Sequence, residues 1–201
     1  MTAPDAPAPR RPAFPWCTLS LAAAAGWFAV SPAAAAWAVY DRAAILHGQL
    51  WRLATGHFVH LGPTHLAWNL VVWLVAGTGL ERRRPSTARL FLCAAPWALG
   101  LWLLALAPSL AVYAGLSGLA TGVVILFALH LCQGGSALDR ATGAALLLLV
   151  TAKIFAEAIT GHAWFVHALA GAHVRLEPLA HTGGAACAIV LWAASRPHGT
   201  R

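Results

Sequence analysis

Apolar positions run along this chain in long blocks broken by short polar clusters. Neither the strict alternation of a half-buried strand nor the narrow stripe of a soluble amphipathic helix is sustained. Blocks from Trp16 to Tyr40, Thr64 to Leu80, Ala88 to Ala107, Val112 to Leu131, Ala141 to Thr160 and Pro178 to Ala194 predict six helices. Each is close to the roughly 20 residues that cross a hydrocarbon core. Ahead of them, Pro4, Pro7, Pro9, Pro12 and Pro15 with Arg10 and Arg11 predict a disordered tail over residues 1–15. The fold class expected is an all-α membrane protein, with one helical domain over 16–195 and a second short tail over 196–201.

Composition supports this pattern. Of 201 residues, 60% are apolar and 9% charged, against about 25% charged in an ordinary soluble domain. That leaves too little polar surface for a large soluble domain, a dinucleotide or P-loop core, or a nucleic-acid-binding module. The net charge of +7 therefore bears first on orientation. Arg10, Arg11, Arg82, Arg83, Arg84, Arg89, Arg140, Arg196 and Arg201 fall at the two ends and in the even-numbered gaps. Only Arg42, Arg52 and Arg175 fall in the odd gaps, and Lys153 lies inside the fifth block. This bias places both termini in the cytoplasm. Arg10-Arg11, the apolar run and Ser31-Pro32-Ala33-Ala34-Ala35-Ala36 also have the form of a cleaved secretory signal, but the run is long enough to span and its retention is expected. Cys17, Cys93, Cys132 and Cys187 form no C-x-x-C pair and read as small apolar helix residues.

Polar groups inside apolar helices are costly, so each is a functional candidate. His65 and Asn69 share a face of the second helix at i, i+4. Gly115-Leu116-Ser117-Gly118 opens the fourth, followed by Gly122; His181 precedes Gly183 and Gly184 in the sixth; Lys153 and Glu157 lie one turn apart in the fifth. With alternating helix directions, His65, Ser117 and His181 all fall near the outer face of the bilayer. Serine becomes a nucleophile when a neighbouring base takes its proton, and histidine is the commonest base. Gly115, Gly118, Gly122 and Gly184 would permit close helix packing that brings His181 to Ser117. His65 and Asn69 would supply donors to a developing oxyanion. Glu177 precedes Pro178 at an interface, and Lys153–Glu157 reads as a structural ion pair. No carboxylate is placed to complete a triad, so a Ser117–His181 dyad is expected.

Trp51-Arg52, His65-x-x-x-Asn69, Gly115-x-Ser117-Gly118 and Ala180-His181-x-x-Gly184 occur in an order that resembles the rhomboid intramembrane serine proteases, over about residues 48 to 190. Glu81-Arg82 is similar to the turn that follows the second helix in that family. The resemblance implies the six-transmembrane-helix rhomboid fold and cleavage of peptide bonds in or near membrane helices. It gives Ser117 the role of nucleophile and His181 that of base, with His65, Asn69 and the Ser117 backbone N–H as oxyanion hole. The segment from Asp41 to Pro63 is similar to the family's membrane-embedded first loop, shaped by Trp51 and Arg52. Gly115-Leu-Ser-Gly-Leu-x-x-Gly122 and Lys153-x-x-x-Glu157 further resemble the rhombosortase branch, from which Ala120-Thr121 and Thr182-Gly183 depart. That branch implies secreted substrates with a C-terminal Gly-Gly motif, transmembrane helix and basic cluster (a GlyGly-CTERM tail), and a bacterial inner membrane location with the active site near the periplasmic face.

The resemblance implies membrane lipid and transmembrane substrates as partners, with no nucleic acid, cofactor or metal. A metal reading of His57, His60 and His65 lacks a carboxylate or thiol in the cluster. His162, His167 and His173 read as interfacial. The alternatives are a catalytically inactive rhomboid-like chaperone or binding protein, whose relatives lack the serine or histidine kept here, and a small transporter.

Overall fold

The computed structural model of the chain describes residues 13–160 and 178–195. The expected tails, apart from the first one's last three residues, lie outside these, as do His162, His167, His173, Arg175 and Glu177. The first apolar block, expected as one helix from Trp16 to Tyr40, is instead two: α1 (Trp16–Val30) and α2 (Pro32–Ala38), bent by 116°. The cause is local. Proline at 32 pushes Ser31 out of the helical region, to φ −123° and ψ 93°, and the Ser31 hydroxyl then accepts the Ala34 N–H at 3.4 Å to cap the new helix.

A two-residue strand β1 (Tyr40–Asp41) follows, then α3 (Arg42–Leu46), α4 (Arg52–Thr55) and a 3-10 turn at Gly56–Phe58. The long α5 (Pro63–Arg83) leaves this loop at a 98° bend. Next come α6 (Pro85–Leu106), β2 (Val112–Tyr113), α7 (Ser117–Cys132), α8 (Ala137–Thr160) and α9 (Pro178–Ala194). The fourth helix thus starts at Ser117 and not at Val112. Tyr113 and Val112 pair antiparallel with Tyr40 and Asp41, and Gly115 at φ 145° breaks the chain direction before α7.

Helix α7 is apolar all round and sits at the centre, against α5, α8 and α9. Leu116, Leu119, Val123 and Leu126 form the core with Trp73, Leu80, Phe91 and Leu99. Outside, Trp68, Val75, Leu101, Leu148, Leu149, Phe155, Ile159 and Val190 are all exposed, an apolar belt that only lipid or a partner would cover. Two helices, Pro85–Leu106 and Ala137–Thr160, are each long and apolar enough to cross a membrane, or four spans result if each bent pair counts as one. Two shorter apolar helices, Ser117–Cys132 and Pro178–Ala194, complete the set.

One buried carboxylate fixes α1 on α5. Glu81, 1% exposed, accepts the backbone N–H groups of Cys17 at 3.1 Å and Thr18 at 2.9 Å, and the Thr18 hydroxyl at 2.8 Å. These N–H groups belong to the first turn of α1, which has no intrahelical acceptors for them, and an anion there also complements the helix dipole. Trp73 Nε1 donates to the Thr18 carbonyl at 3.0 Å, and a β-carbon at Gly77 would meet Thr18 Cγ2 at 2.7 Å. Glu81→Ala should therefore destabilise the protein by about 2–4 kcal/mol, read as a lower thermal unfolding midpoint in detergent micelles with helix content kept at low temperature.

Candidate active site

The turn that leads into α7 is held by three hydrogen bonds. Gly115 N–H donates to the Gly56 carbonyl at 3.4 Å, and the Tyr113 hydroxyl donates to the Gly115 carbonyl at 2.9 Å. Leu116 N–H donates to His60 Nε2 at 3.3 Å, while His60 Nδ1 lies 3.3 Å from the Phe58 carbonyl. Accepting at Nε2 assigns the neutral His60 its proton on Nδ1. A β-carbon on Gly115 would lie 3.1 Å from His65 Cε1 and 3.5 Å from Nε2, so a side chain here would press on the His65 ring. Gly115 therefore serves the turn through its positive φ and this contact; the expectation that it packs helices is corrected, because it precedes α7.

Ser117 emerges from this turn, half-buried, as the first residue of α7. Its backbone N–H belongs to the set that a helix N-terminus leaves without intrahelical partners, at the positive end of the dipole. The next residue, Gly118, faces α9: a β-carbon there would lie 2.7 Å from the Ala180 carbonyl, and one on Gly122 would lie 2.6 Å from the Gly184 carbonyl. A β-carbon on Gly184 would in turn collide with the Gly118 carbonyl. Gly118, Gly122 and Gly184 thus allow backbone to meet backbone, and Ser117 and His181 each stand one residue from the Gly118–Ala180 contact. His181 is 2% exposed and its Nε2 is buried without a hydrogen-bond partner among the described residues.

The other ring nitrogen has a neighbour that sequence reasoning missed. His181 Nδ1 lies 2.8 Å from Glu157 Oε2, and Lys153 Nζ lies 2.7 Å from the other carboxylate oxygen. The Nδ1 contact has ion-pair distance but is bent away from the line of a straight N–H···O bond. The expectation that no carboxylate reaches the histidine is overturned. Glu157 is distant from His181 in the chain, yet α8 carries it to α9. The i, i+4 pair with Lys153 was legible; its third partner was not.

His65 and Asn69 are both buried on α5. Asn69 Nδ2 donates to the His65 carbonyl at 2.9 Å, which leaves its second N–H for another acceptor. Behind them, Arg52 closes the first loop: its guanidinium donates to the carbonyls of Ala36 at 3.0 Å and Val39 at 2.8 Å and to Gln49 Oε1 at 2.7 Å. Trp51 stacks on Trp37 with ring centroids 5.2 Å apart, and its Nε1 donates to the Trp37 carbonyl. His57 is buried, with Nε2 at 3.1 Å from the Pro96 carbonyl and its ring edge on Tyr113. His57 and His60 are thus bound to backbone groups, and no group of three or more metal-ligating side chains occurs among the described residues. Arg42, also missed from sequence, donates to the Leu104 carbonyl at 2.8 Å, at the end of α6.

Residues 47–197 match the family model described as Rhomboid domain, which covers most of the chain. Among curated proteins none matches it. The α7–α9 contact is expected to tolerate no side chain. Gly184→Val should cost about 3 kcal/mol or more, measured as lost thermal stability in micelles or lost accumulation in membranes, whereas the same change at Gly26, which has open space around it, should be borne.

Proposed function

As the chain belongs to the rhomboid family, whose members are generally intramembrane serine proteases, and is an integral membrane protein, we propose that it is a serine endopeptidase acting on transmembrane proteins through Ser117 and His181. The observation that supports this reading is the glycine contact between α7 and α9, in which Gly118, next after Ser117, meets the carbonyl of Ala180, next before His181, whose Nε2 is without a partner among the described residues.

The chemistry follows from the groups present. His181 Nε2 takes the Ser117 proton as Oγ bonds to the scissile carbonyl carbon and the carbonyl π pair moves onto its oxygen. That oxyanion is met by the Ser117 backbone N–H, the His65 ring and the free N–H of Asn69. Collapse expels the amine, which takes the proton from His181. A water then repeats the sequence on the acyl-enzyme, giving up its proton to the same nitrogen and releasing the acid and Ser117.

The arginine bias supports a reading with six spans and both termini cytoplasmic, and with it a site toward the periplasmic face of a bacterial inner membrane. The helical domain is taken as 16–195 between two tails. The Gly115-to-Gly122 and Lys153–Glu157 patterns support membership of the rhombosortase branch, and with it substrates ending in a Gly-Gly motif, a transmembrane helix and a basic cluster. Ser117→Ala and His181→Ala should each abolish cleavage of a co-expressed reporter bearing such a tail while the protein still accumulates in membranes. A fluorophosphonate probe should label the wild type and neither variant. Cleavage that survives Ser117→Ala would refute the reading.

A further inference from the structure

We propose that Glu157 is a positioning residue that completes a Ser117–His181–Glu157 triad, with Lys153 as its counter-charge. This rests on the protease reading above and adds to it a third member carried by α8.

The side chains make a connected chain of charge. Glu157 is 2% exposed and holds its carboxylate between two cations or potential cations, 2.7 Å from Lys153 Nζ and 2.8 Å from His181 Nδ1. A carboxylate in apolar surroundings is expensive unless it is paired. A structural ion pair with Lys153 alone would satisfy that need from one helix, and both groups could face away from α9. Instead the carboxylate is shared with the imidazole. Lys153 lies on the solvent or lipid side, its side chain 28% exposed against 3% for Glu157, so the order from outside inward is cation, anion, histidine.

That order decides which histidine nitrogen is the base. A carboxylate at Nδ1 favours the tautomer with its proton there, which leaves Nε2 with the lone pair that Ser117 requires. As Ser117 gives up its proton, the almost wholly buried His181 becomes an imidazolium, and Glu157 is the anion against which that charge is stabilised. Glu157 itself gains no proton in the step. The other groups packed about His181 cannot take this part: α5 brings His65, close enough to interact with it electrostatically. Helix α6 brings Leu99 and Trp102 against the nearby Gly183, and α7 brings Gly118 and Gly122 against Ala180 and Gly184.

The test uses the full chain in detergent micelles, with the tailed reporter and a fluorophosphonate probe. Glu157→Gln should lower kcat by on the order of 10²–10⁴-fold with KM within about twofold, as expected of a buried group that acts through His181. The acid limb of the labelling-rate profile should move to lower pH, since the charged imidazole loses its anion. Glu157→Asp should recover part of the rate, an outcome that a purely structural pair would not tie to the pH profile. Kinetics for Glu157→Gln within threefold of wild type and an unmoved acid limb would overturn the triad while leaving Ser117 and His181 as assigned. Failure of the wild type to be labelled, or cleavage by Ser117→Ala, would overturn the site reading itself and the triad with it. If Glu157→Gln does not accumulate, nitrogen NMR of the histidine-labelled native chain decides. The His181 signal, assigned by its loss in His181→Ala, should report a proton on Nδ1, and a proton on Nε2 would reject the triad.

Discussion

Three glycines govern the arrangement of this protein. Gly118, Gly122 and Gly184 let α7 and α9 approach until carbonyls of one helix fill the space where β-carbons of the other would stand. In lipid, apolar side chains gain little by leaving tails for one another, so close packing and polar contacts hold helices together. Because α7 is also the element against which α5 and α8 rest, that one approach sets the level at which the other helices present their polar groups. The serine at the first position of α7 and the histidine of α9 each stand one residue along the chain from the contact between Gly118 and Ala180.

Polar pairing is the second constraint, and it follows from the first. Once helices close to this degree, a charge between them is removed from bulk solvent and needs a partner drawn from the protein. Glu81 finds its partners at the start of α1, and Glu157 finds them in Lys153 and His181. The same economy governs the first loop. Arg52 gathers carbonyls from the end of α2 and Arg42 those from the end of α6, groups that a helix C-terminus leaves without acceptable donors.

The periodic blocks of apolar residues made the long helices legible. The last of them, Pro178–Ala194, has the bounds expected, and α5, α6 and α8 differ from expectation only at their ends. The errors came where a single residue redirected the chain. Pro32 turned one helix into two, and Gly115 moved the start of α7 to Ser117. The family resemblance was carried by motifs within single helices and is matched across 47–197. What sequence reading lost was contact between helices. The spacing of Lys153 and Glu157 reveals that they share a face, yet nothing in it says which helix that face meets. The pairing of Tyr40 with Tyr113, and of His60 with Leu116, was hidden for the same reason: both join segments more than fifty residues apart.

That last pairing has a consequence for how the protein can change over generations. Gly56 gives its carbonyl to Gly115, and a β-carbon on Gly56 would lie 2.6 Å from Tyr40 Cβ. Tyr40 pairs with Tyr113, whose hydroxyl holds the Gly115 carbonyl. His60 holds the next amide along. Drift at any of these loop positions is thereby inherited by the turn that carries Ser117. The loop is free to vary in its outer face, at Leu50 or Leu61 for example, but its inner face can diversify only through paired substitutions that preserve the turn.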